Sequence, residues 1–173
     1  MSDNIPSIRI VQTVGITTTA FLSGAITGIS YFAVPNLLTS PTPLLLQQWA
    51  KCFNSGRKTV PPLAAIASAC FFYLASKTNR TLAKAKFYRY VLAGVLGLSI
   101  MPYTFVLMGK TNRKLSAKAQ QTKGLGVTDE VVEAAAPEET AHWLVDRWGV
   151  LNLGRGILLL GAAGLGTWTA IEE

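Results

Sequence analysis

Five polar and aromatic residues near the C-terminal end of the sequence have side chains suited to oxyanion binding and proton transfer. Trp148, Asn152 and Arg155 follow one another at spacings of four and three, which places them on one stripe of a helix. His142 and Asp146 are four residues apart and share another face. The Arg155 guanidinium and the Asn152 amide can stabilise a developing oxyanion. His142 or Asp146 can remove a proton from an acidic carbon.

A second polar group lies at the end of the third long apolar stretch and contains Tyr103, Thr104 and Asn112. Tyr103 and Trp148 have aromatic faces on which a flat ligand can stack. Consecutive spans of a four-helix bundle are antiparallel, so the end of the third and the start of the fourth lie at one membrane surface. We therefore expect the two groups to line one pocket.

A structural role for the same residues is the alternative interpretation. Arg155 would then pair with Asp146 or with a backbone carbonyl and only hold helices together, and His142 would be an ordinary interfacial histidine. A lone guanidinium inside a membrane is unfavourable by about 2.5–3.5 kcal/mol on insertion scales. Both interpretations therefore predict that Arg155 faces the interior of the bundle.

The elements that must position these residues are four apolar stretches, which predict an all-α integral membrane protein. Only 14% of the 173 residues are charged, and the mean hydropathy is +0.34. Soluble domains usually carry about 25% charged residues. We predict one domain, residues 1–173, folded as a four-helix bundle. The predicted spans are about 13–34, 60–76, 90–108 and 148–171. Pro35 is expected to end the first span, and the Pro61–Pro62 pair fits the first turn of the second.

Between spans one and two, the segment from about residue 42 to 56 predicts a short interfacial helix. Leu45, Trp49 and Phe53 repeat every four residues and would form one face of it. The segment is too short to cross a bilayer, so it lies at the interface or acts as a lid over the bundle. Trp49 is interpreted either as an anchor at the level of the lipid headgroups or as a contact for a ligand.

The composition argues against several classes of function. The net charge is +7, but the basic residues cluster between apolar stretches, as they do beside membrane helices, so we predict no nucleic-acid partner. One histidine and two cysteines without a Cys-x-x-Cys motif argue against structural zinc. The sequence has neither a phosphate-binding glycine-rich loop nor a Rossmann motif. We therefore predict no metal site and no cofactor.

The motifs, taken in order, resemble those of a small four-helix membrane family that includes fungal anthrone oxygenases. The similarity covers nearly the whole chain, although Lys110 stands where relatives often have proline. The matching motifs are Trp49 with Phe53 and Gly56, Pro102-Tyr103-Thr104, Thr111-Asn112 with Leu115, and Trp148-x-x-x-Asn152-x-x-Arg155.

This resemblance implies oxidation of an anthrone to an anthraquinone with O2, without metal or flavin, in fungal secondary metabolism and in the endoplasmic reticulum membrane. Arg155 and Asn152 would bind the oxyanion, and Asp146 or His142 would be the base. The remaining implied substrate contacts are Trp148, Tyr103, Asn112, Thr104 and Trp49. The expected partners are an apolar aromatic substrate, O2, membrane lipid and a second copy of the chain in a homo-oligomer. Two other functions stay open, namely a non-catalytic membrane scaffold and a carrier of apolar small molecules.

Overall fold

The computed structural model describes residues 4–126 and 136–172, and the regular structure in those two ranges is entirely helical. Four helices are long and apolar enough to cross a membrane, which confirms the predicted all-α membrane bundle. The first helix comprises Asn4–Gly28, a π-helical turn at Ile29–Ala33 and Val34–Leu37; the second is Thr42–Lys77; the third is Lys84–Gln121, with a π-helical turn at Thr104–Met108; and the fourth is Ala141–Ile171.

The helices form an up-down-up-down bundle in which each packs against its neighbours in sequence and the first packs against the fourth. Side chains from different helices fill the spanning part. Phe71 and Tyr90 are buried there together with Ala162, and Leu22, Ile100 and Leu159 belong to a second cluster. Arg155 is half-buried and shares its stripe with Trp148 and Asn152, which are both buried.

The predicted short helix between spans one and two is continuous with the second span. Thr42–Lys77 is one helix of 36 residues, and Pro61 and Pro62 lie inside it. The first helix likewise runs on through Pro35 to Leu37 after a π-helical turn. A proline removes one backbone hydrogen bond, but packing against neighbouring helices can hold the chain helical around it. The prolines therefore do not end the helices where local chemistry alone suggests.

Helical extensions beyond the predicted spans pack together at one end of the bundle, and we call them the roof (residues 42–59, 109–121 and 141–147). Leu45 and Trp49 are at most 1% exposed and pack there with Leu115 and Val145. Lys114 donates a hydrogen bond to Glu139 before the fourth helix. This bond lowers the pKa of the Glu139 carboxyl below its ordinary value, so the contact is kept at neutral pH and lost as the pH falls through that lowered pKa.

Two glycines of the fourth helix predict opposite effects of the same substitution. A Cβ at Gly166 would lie 2.6 Å from Phe71 Cε1 and 3.0 Å from Ile16 Cγ1, whereas a Cβ at Gly164 would meet no atom within 4 Å. We expect Gly166→Ala to destabilise the protein by about 1–3 kcal/mol, because the Phe71 ring is fully buried. Gly164→Ala should stabilise it by about 0.5–1 kcal/mol through helix propensity. Thermal unfolding in detergent measures both changes in stability. Equal shifts of the melting temperature in the two variants would contradict the described packing around Gly166.

Candidate active site

A cavity of about 490 Å³ lies between the four helices at the roof end, and roof residues such as Phe53, Gly56 and Asn112 form part of its wall. This volume falls within the range of about 300–1,000 Å³ that is usual for small-molecule sites. Most of the wall is apolar and comes from every helix, including Ile26, Ile29, Phe53, Ile100, Met101 and Trp148. The cavity is therefore shaped for a largely apolar molecule.

Four polar residues of the lining, Thr104, Asn112, Asn152 and Arg155, come from the third and fourth helices, and Arg57 comes from the second. Arg155 Nη1 donates a hydrogen bond of 3.0 Å to Asn152 Oδ1, and Asn152 is only 3% exposed. Among the residues that the structure describes, four buried atoms of the lining have no hydrogen-bond partner. They are Arg155 Nε, Asn152 Nδ2, Trp148 Nε1 and Asn112 Oδ1.

These four atoms belong to side chains that line the cavity, and they indicate which ligand groups could pair there. Each buried polar atom without a partner is unfavourable by about 1–3 kcal/mol, so a ligand that pairs with them gains affinity. Three of the four are N–H donors, and they suit an oxygen that carries negative charge. Asn112 Oδ1 is an acceptor and suits a hydroxyl of the same ligand. The lining thus fits an apolar molecule with a carbonyl or enolate oxygen and a hydroxyl group.

The local helix geometry explains how these side chains come together. The spacing in the fourth helix places Trp148, Asn152 and Arg155 on one stripe, as predicted. Tyr103 Oη donates a 3.1 Å hydrogen bond to the Leu151 carbonyl, which joins the third helix to the fourth at this level. Both π-helical turns border the cavity, through Ile29 in the first helix and through Thr104 and Phe105 in the third. Such turns are frequent at functional sites.

The structure brings five of the nine predicted site residues into the cavity lining: Arg155, Asn152, Trp148, Asn112 and Thr104. The Thr104 hydroxyl is already bonded to the Ile100 carbonyl at 2.7 Å. Tyr103 lies beside the lining, and Trp49 lies behind it in the roof. There Trp49 stacks on Phe53, with ring centroids 5.0 Å apart, and makes an edge contact with Trp148.

The two predicted bases lie outside the cavity lining. Asp146 is exposed on the surface of the fourth helix. His142 Nε2 lies 3.1 Å from the Ser40 carbonyl oxygen, at the join between the first and second helices. The Arg155 guanidinium bonds Asn152 and makes no described ion pair with Asp146. Within residues 4–126 and 136–172, no three His, Cys, Asp or Glu side chains come together in a group that could hold a metal.

Sequence reasoning missed most of the wall contributed by the second helix, and Gly109 of the third. Cys52, Gly56, Arg57 and Gly109 all line the cavity. A signal was present in the second helix, since Gly56, Arg57 and Val60 follow Phe53 at intervals of three, four and seven. The prediction places residues 42–56 in a short interfacial helix and begins the second span near residue 60, so this stripe is divided between two predicted elements. Gly109 carries no comparable signal.

Known proteins similar to this chain include several fungal anthrone oxygenases. Residues 49–165 match the family model described as anthrone oxygenase. The chain is 34% identical to an anthrone oxygenase of Claviceps purpurea, over 90% of this chain and 86% of that protein. It is 30% identical to an anthrone oxygenase of Paecilomyces divaricatus, over 90% and 92%. It is 28% identical to a noranthrone monooxygenase of Aspergillus flavus, over 88% and 70%. No solved structure matches the chain significantly.

Proposed function

The chain belongs to the anthrone oxygenase family, and on this basis we propose that it is a monooxygenase that oxidises an anthrone-type polyketide to the anthraquinone with O2. One observation supports this proposal above the others. The unpaired donors Arg155 Nε and Asn152 Nδ2 lie in the wall of an apolar cavity that has room for a tricyclic molecule.

The chemistry of an anthrone matches this donor set. Its methylene group lies between two aromatic rings and is conjugated with the ketone, so loss of a proton moves negative charge onto the ketone oxygen. Donors held in a low-dielectric cavity stabilise that charge more strongly than water does. We assign this role to Arg155 and Asn152, with Trp148 as the third donor and as a surface for the rings.

The remaining steps need only the substrate anion and O2. The electron-rich anion passes one electron to O2, and the resulting carbon radical and superoxide combine to form a C–O bond. Protonation gives a hydroperoxide, which loses water as the remaining hydrogen leaves the carbon. One atom of O2 becomes the new carbonyl oxygen and the other leaves in water together with both methylene hydrogens. The protein's part is to bind the rings and favour the anion.

The placement of Asp146 and His142 favours a mechanism that does not depend on either as the base. Stabilising the oxyanion lowers the pKa of the substrate methylene, so solvent can accept the proton. We expect Asp146→Asn and His142→Gln to keep quinone formation within about threefold of the unmodified protein, because neither side chain lines the cavity. Initial rates over a range of pH measure this. A loss of more than a hundredfold in Asp146→Asn, with normal protein level, would restore Asp146 as the base.

The function is tested with isolated membranes, a hydroxylated anthrone and air. Quinone formation is followed by its visible colour and O2 uptake by an electrode, against membranes without the protein. Rates above the spontaneous oxidation, with one O2 consumed for each quinone, support the monooxygenase. If the anthrone protects Cys52 from a maleimide but does not react faster than in control membranes, the protein is a carrier. If the anthrone neither protects Cys52 from the maleimide nor is oxidised faster than in control membranes, the protein is a scaffold.

The location and partners of the protein are proposed from the same features. Its four apolar helices make it a multi-pass membrane protein. An apolar anthrone dissolves in the bilayer and can reach the cavity from there, as can O2. We propose the endoplasmic reticulum as the membrane, and the homo-oligomer stays a prediction.

A further inference from the structure

The cavity has an opening on one side, between the second and third helices. Two residues of its described lining are exposed, namely Arg57 on the second helix and Phe105 on the third. The described lining residues of the first and fourth helices are all buried or half-buried. The way from the cavity to the surroundings of the bundle therefore passes between the second and third helices. We call this opening the mouth and define it by Arg57, Pro61, Met101 and Phe105.

The register of the two helices places the mouth residues on edges that face each other. Toward the middle of the bundle, a Cβ at Gly97 would overlap Ser68 Oγ, so Ser68 and Gly97 are in contact across the helix pair. Met101 follows Gly97 at an interval of four, and Phe105 follows one turn later. The two mouth residues of the second helix precede Ser68 by seven and eleven positions. These helical intervals keep all four residues near the contacting edges.

The seam between the two helices is closed below the mouth and open beside it. A Cβ at Gly94 would lie 2.7 Å from Phe72 Cε1, so the helices pack tightly there, as they do at Gly97. At the roof end, a Cβ at Gly56 or at Gly109 would meet no atom within 4 Å, although both residues line the cavity. The absence of side chains brings the helices together in one part of the seam and leaves space in the other.

The residues around the mouth place it at the boundary between hydrocarbon and lipid headgroups. Phe105, Val106 and Leu107 are 81%, 77% and 50% exposed, which suits contact with lipid. Lys110 is exposed and lies about 7 Å further along the third helix. Basic residues flank the apolar part of membrane helices, and Arg57 marks the same level on the second helix. The mouth therefore opens on the outer part of the hydrocarbon layer, with its polar edge toward the headgroups.

A hydroxylated anthrone is suited to this depth of the membrane. Its rings are apolar and dissolve in lipid, whereas its ketone and hydroxyl groups favour hydrated surroundings. Tyrosine and tryptophan side chains collect at membrane surfaces for the same reason. A molecule held at this level reaches the mouth by diffusion in the bilayer, without passing through water.

We propose that the mouth is the entrance through which the substrate passes from the bilayer into the cavity. This inference rests on the proposed function, because it takes the substrate to be an anthrone. Asn152 and Arg155 lie on the fourth helix, which is diagonal to the second in the bundle. An anthrone that enters with its ketone first therefore brings that oxygen to the donors on the far wall.

The test closes the mouth reversibly. Arg57→Cys and Phe105→Cys are introduced into a full chain that also carries Cys52→Ala and Cys70→Ala, so that the two new thiols are the ones present. A short bifunctional thiosulfonate then bridges the two helices, and a reductant releases the bridge. Both replaced side chains are exposed, so the variant is expected to fold. If the bridge does not form, Phe105→Cys carrying one bulky thiosulfonate group gives the same comparison.

Entry is measured without O2, so that no turnover occurs. A hydroxylated anthrone is added to the protein in vesicles, and the rate at which tryptophan fluorescence is quenched is followed, since Trp148 lines the cavity. Trp168→Phe removes an indole that is 62% exposed and would report on anthrone in the lipid. We expect bridging to slow quenching by at least about tenfold and release of the bridge to restore the rate.

The matched control bridges the same two helices beside the closed part of the seam. It uses Ala69→Cys and Val95→Cys, which replace exposed residues outside the cavity lining. This bridge should leave the rate of quenching unchanged. Equal slowing by the two bridges would overturn the proposal, because restricted helix motion and not closure of the mouth would then limit entry.

Two further results separate the entrance from the proposed function. An unchanged rate of quenching after the mouth is bridged, with quinone formed in air, would overturn the entrance alone and leave the mouth as a groove filled by lipid. Slowed quenching, with no quinone formed in air above control membranes before bridging, would support the entrance and contradict the oxidation. Absence of any quenching by the anthrone would contradict both.

Discussion

Arg155→Ala is expected to lower kcat for quinone formation by about 10²–10³-fold while the protein still accumulates in the membrane. The reason is that Arg155 lines the cavity with a buried donor, Nε, that has no partner among the described residues, and its Nη1 donates to the Asn152 amide oxygen. Loss of the guanidinium removes the Arg155 donor and leaves the Asn152 amide without the bond that holds it. Initial rates of O2 uptake and quinone formation in membranes with equal amounts of protein give the measurement.

Two further arginine variants separate catalysis from folding. Arg147→Ala is the matched control, because Arg147 lies on the same helix but is exposed, 5.1 Å from the centre of the Trp143 ring. Its turnover should be unchanged. Arg155→Lys keeps the charge but loses the planar set of donors, so it should recover only part of the rate. Full turnover in Arg155→Ala would remove Arg155 from the catalytic role.

Gly109→Leu is expected to lower kcat/KM by about 10–100-fold without unfolding the protein. Gly109 lines the cavity, and a Cβ at this position meets no atom within 4 Å. The leucine side chain can therefore enter the space meant for the substrate, and leucine also favours a helix over glycine. Gly56→Leu enters from the second helix, where a Cβ is equally unobstructed, and should have the same effect.

Cysteine labelling reports whether the cavity has been filled. In a Cys70→Ala background, Cys52 lines the cavity and is the remaining thiol of the chain. Maleimide labelling of Cys52 should slow in Gly109→Leu. Gly24→Leu is the control, since Gly24 is exposed outside the cavity and its Cβ also meets no atom within 4 Å. Normal kcat/KM in Gly109→Leu together with slowed labelling would show that the substrate binds elsewhere.

The structural and catalytic predictions differ in what they depend on. The shift in stability at Gly166 follows from packing deep in the spanning part, whereas the loss at Gly109 follows from space near the roof. A protein that fails only the second test would have the described fold and a different substrate site. The substitutions at Arg155 and Gly109 therefore test the proposed function apart from the bundle.

The sequence by itself determined the membrane architecture and one wall of the cavity. Long runs of apolar residues predict spanning helices, because a backbone in lipid must satisfy its hydrogen bonds internally. The stripe of Trp148, Asn152 and Arg155 followed from helical periodicity, which is a local property. The predicted meeting of the third and fourth helices also followed, since consecutive spans are antiparallel.

Only the tertiary structure decided where the helices end and which distant residues share the cavity. Pro61 and Pro62 look like a helix boundary, yet the second helix continues through them, and its roof residues pack against the other helices. This continuity brings Cys52 to the cavity. In the fourth helix, Asp146 precedes the oxyanion stripe closely in sequence but faces away from it. A spacing places residues on a face of one helix, whereas the neighbours of that face are set by contacts between helices far apart in the chain.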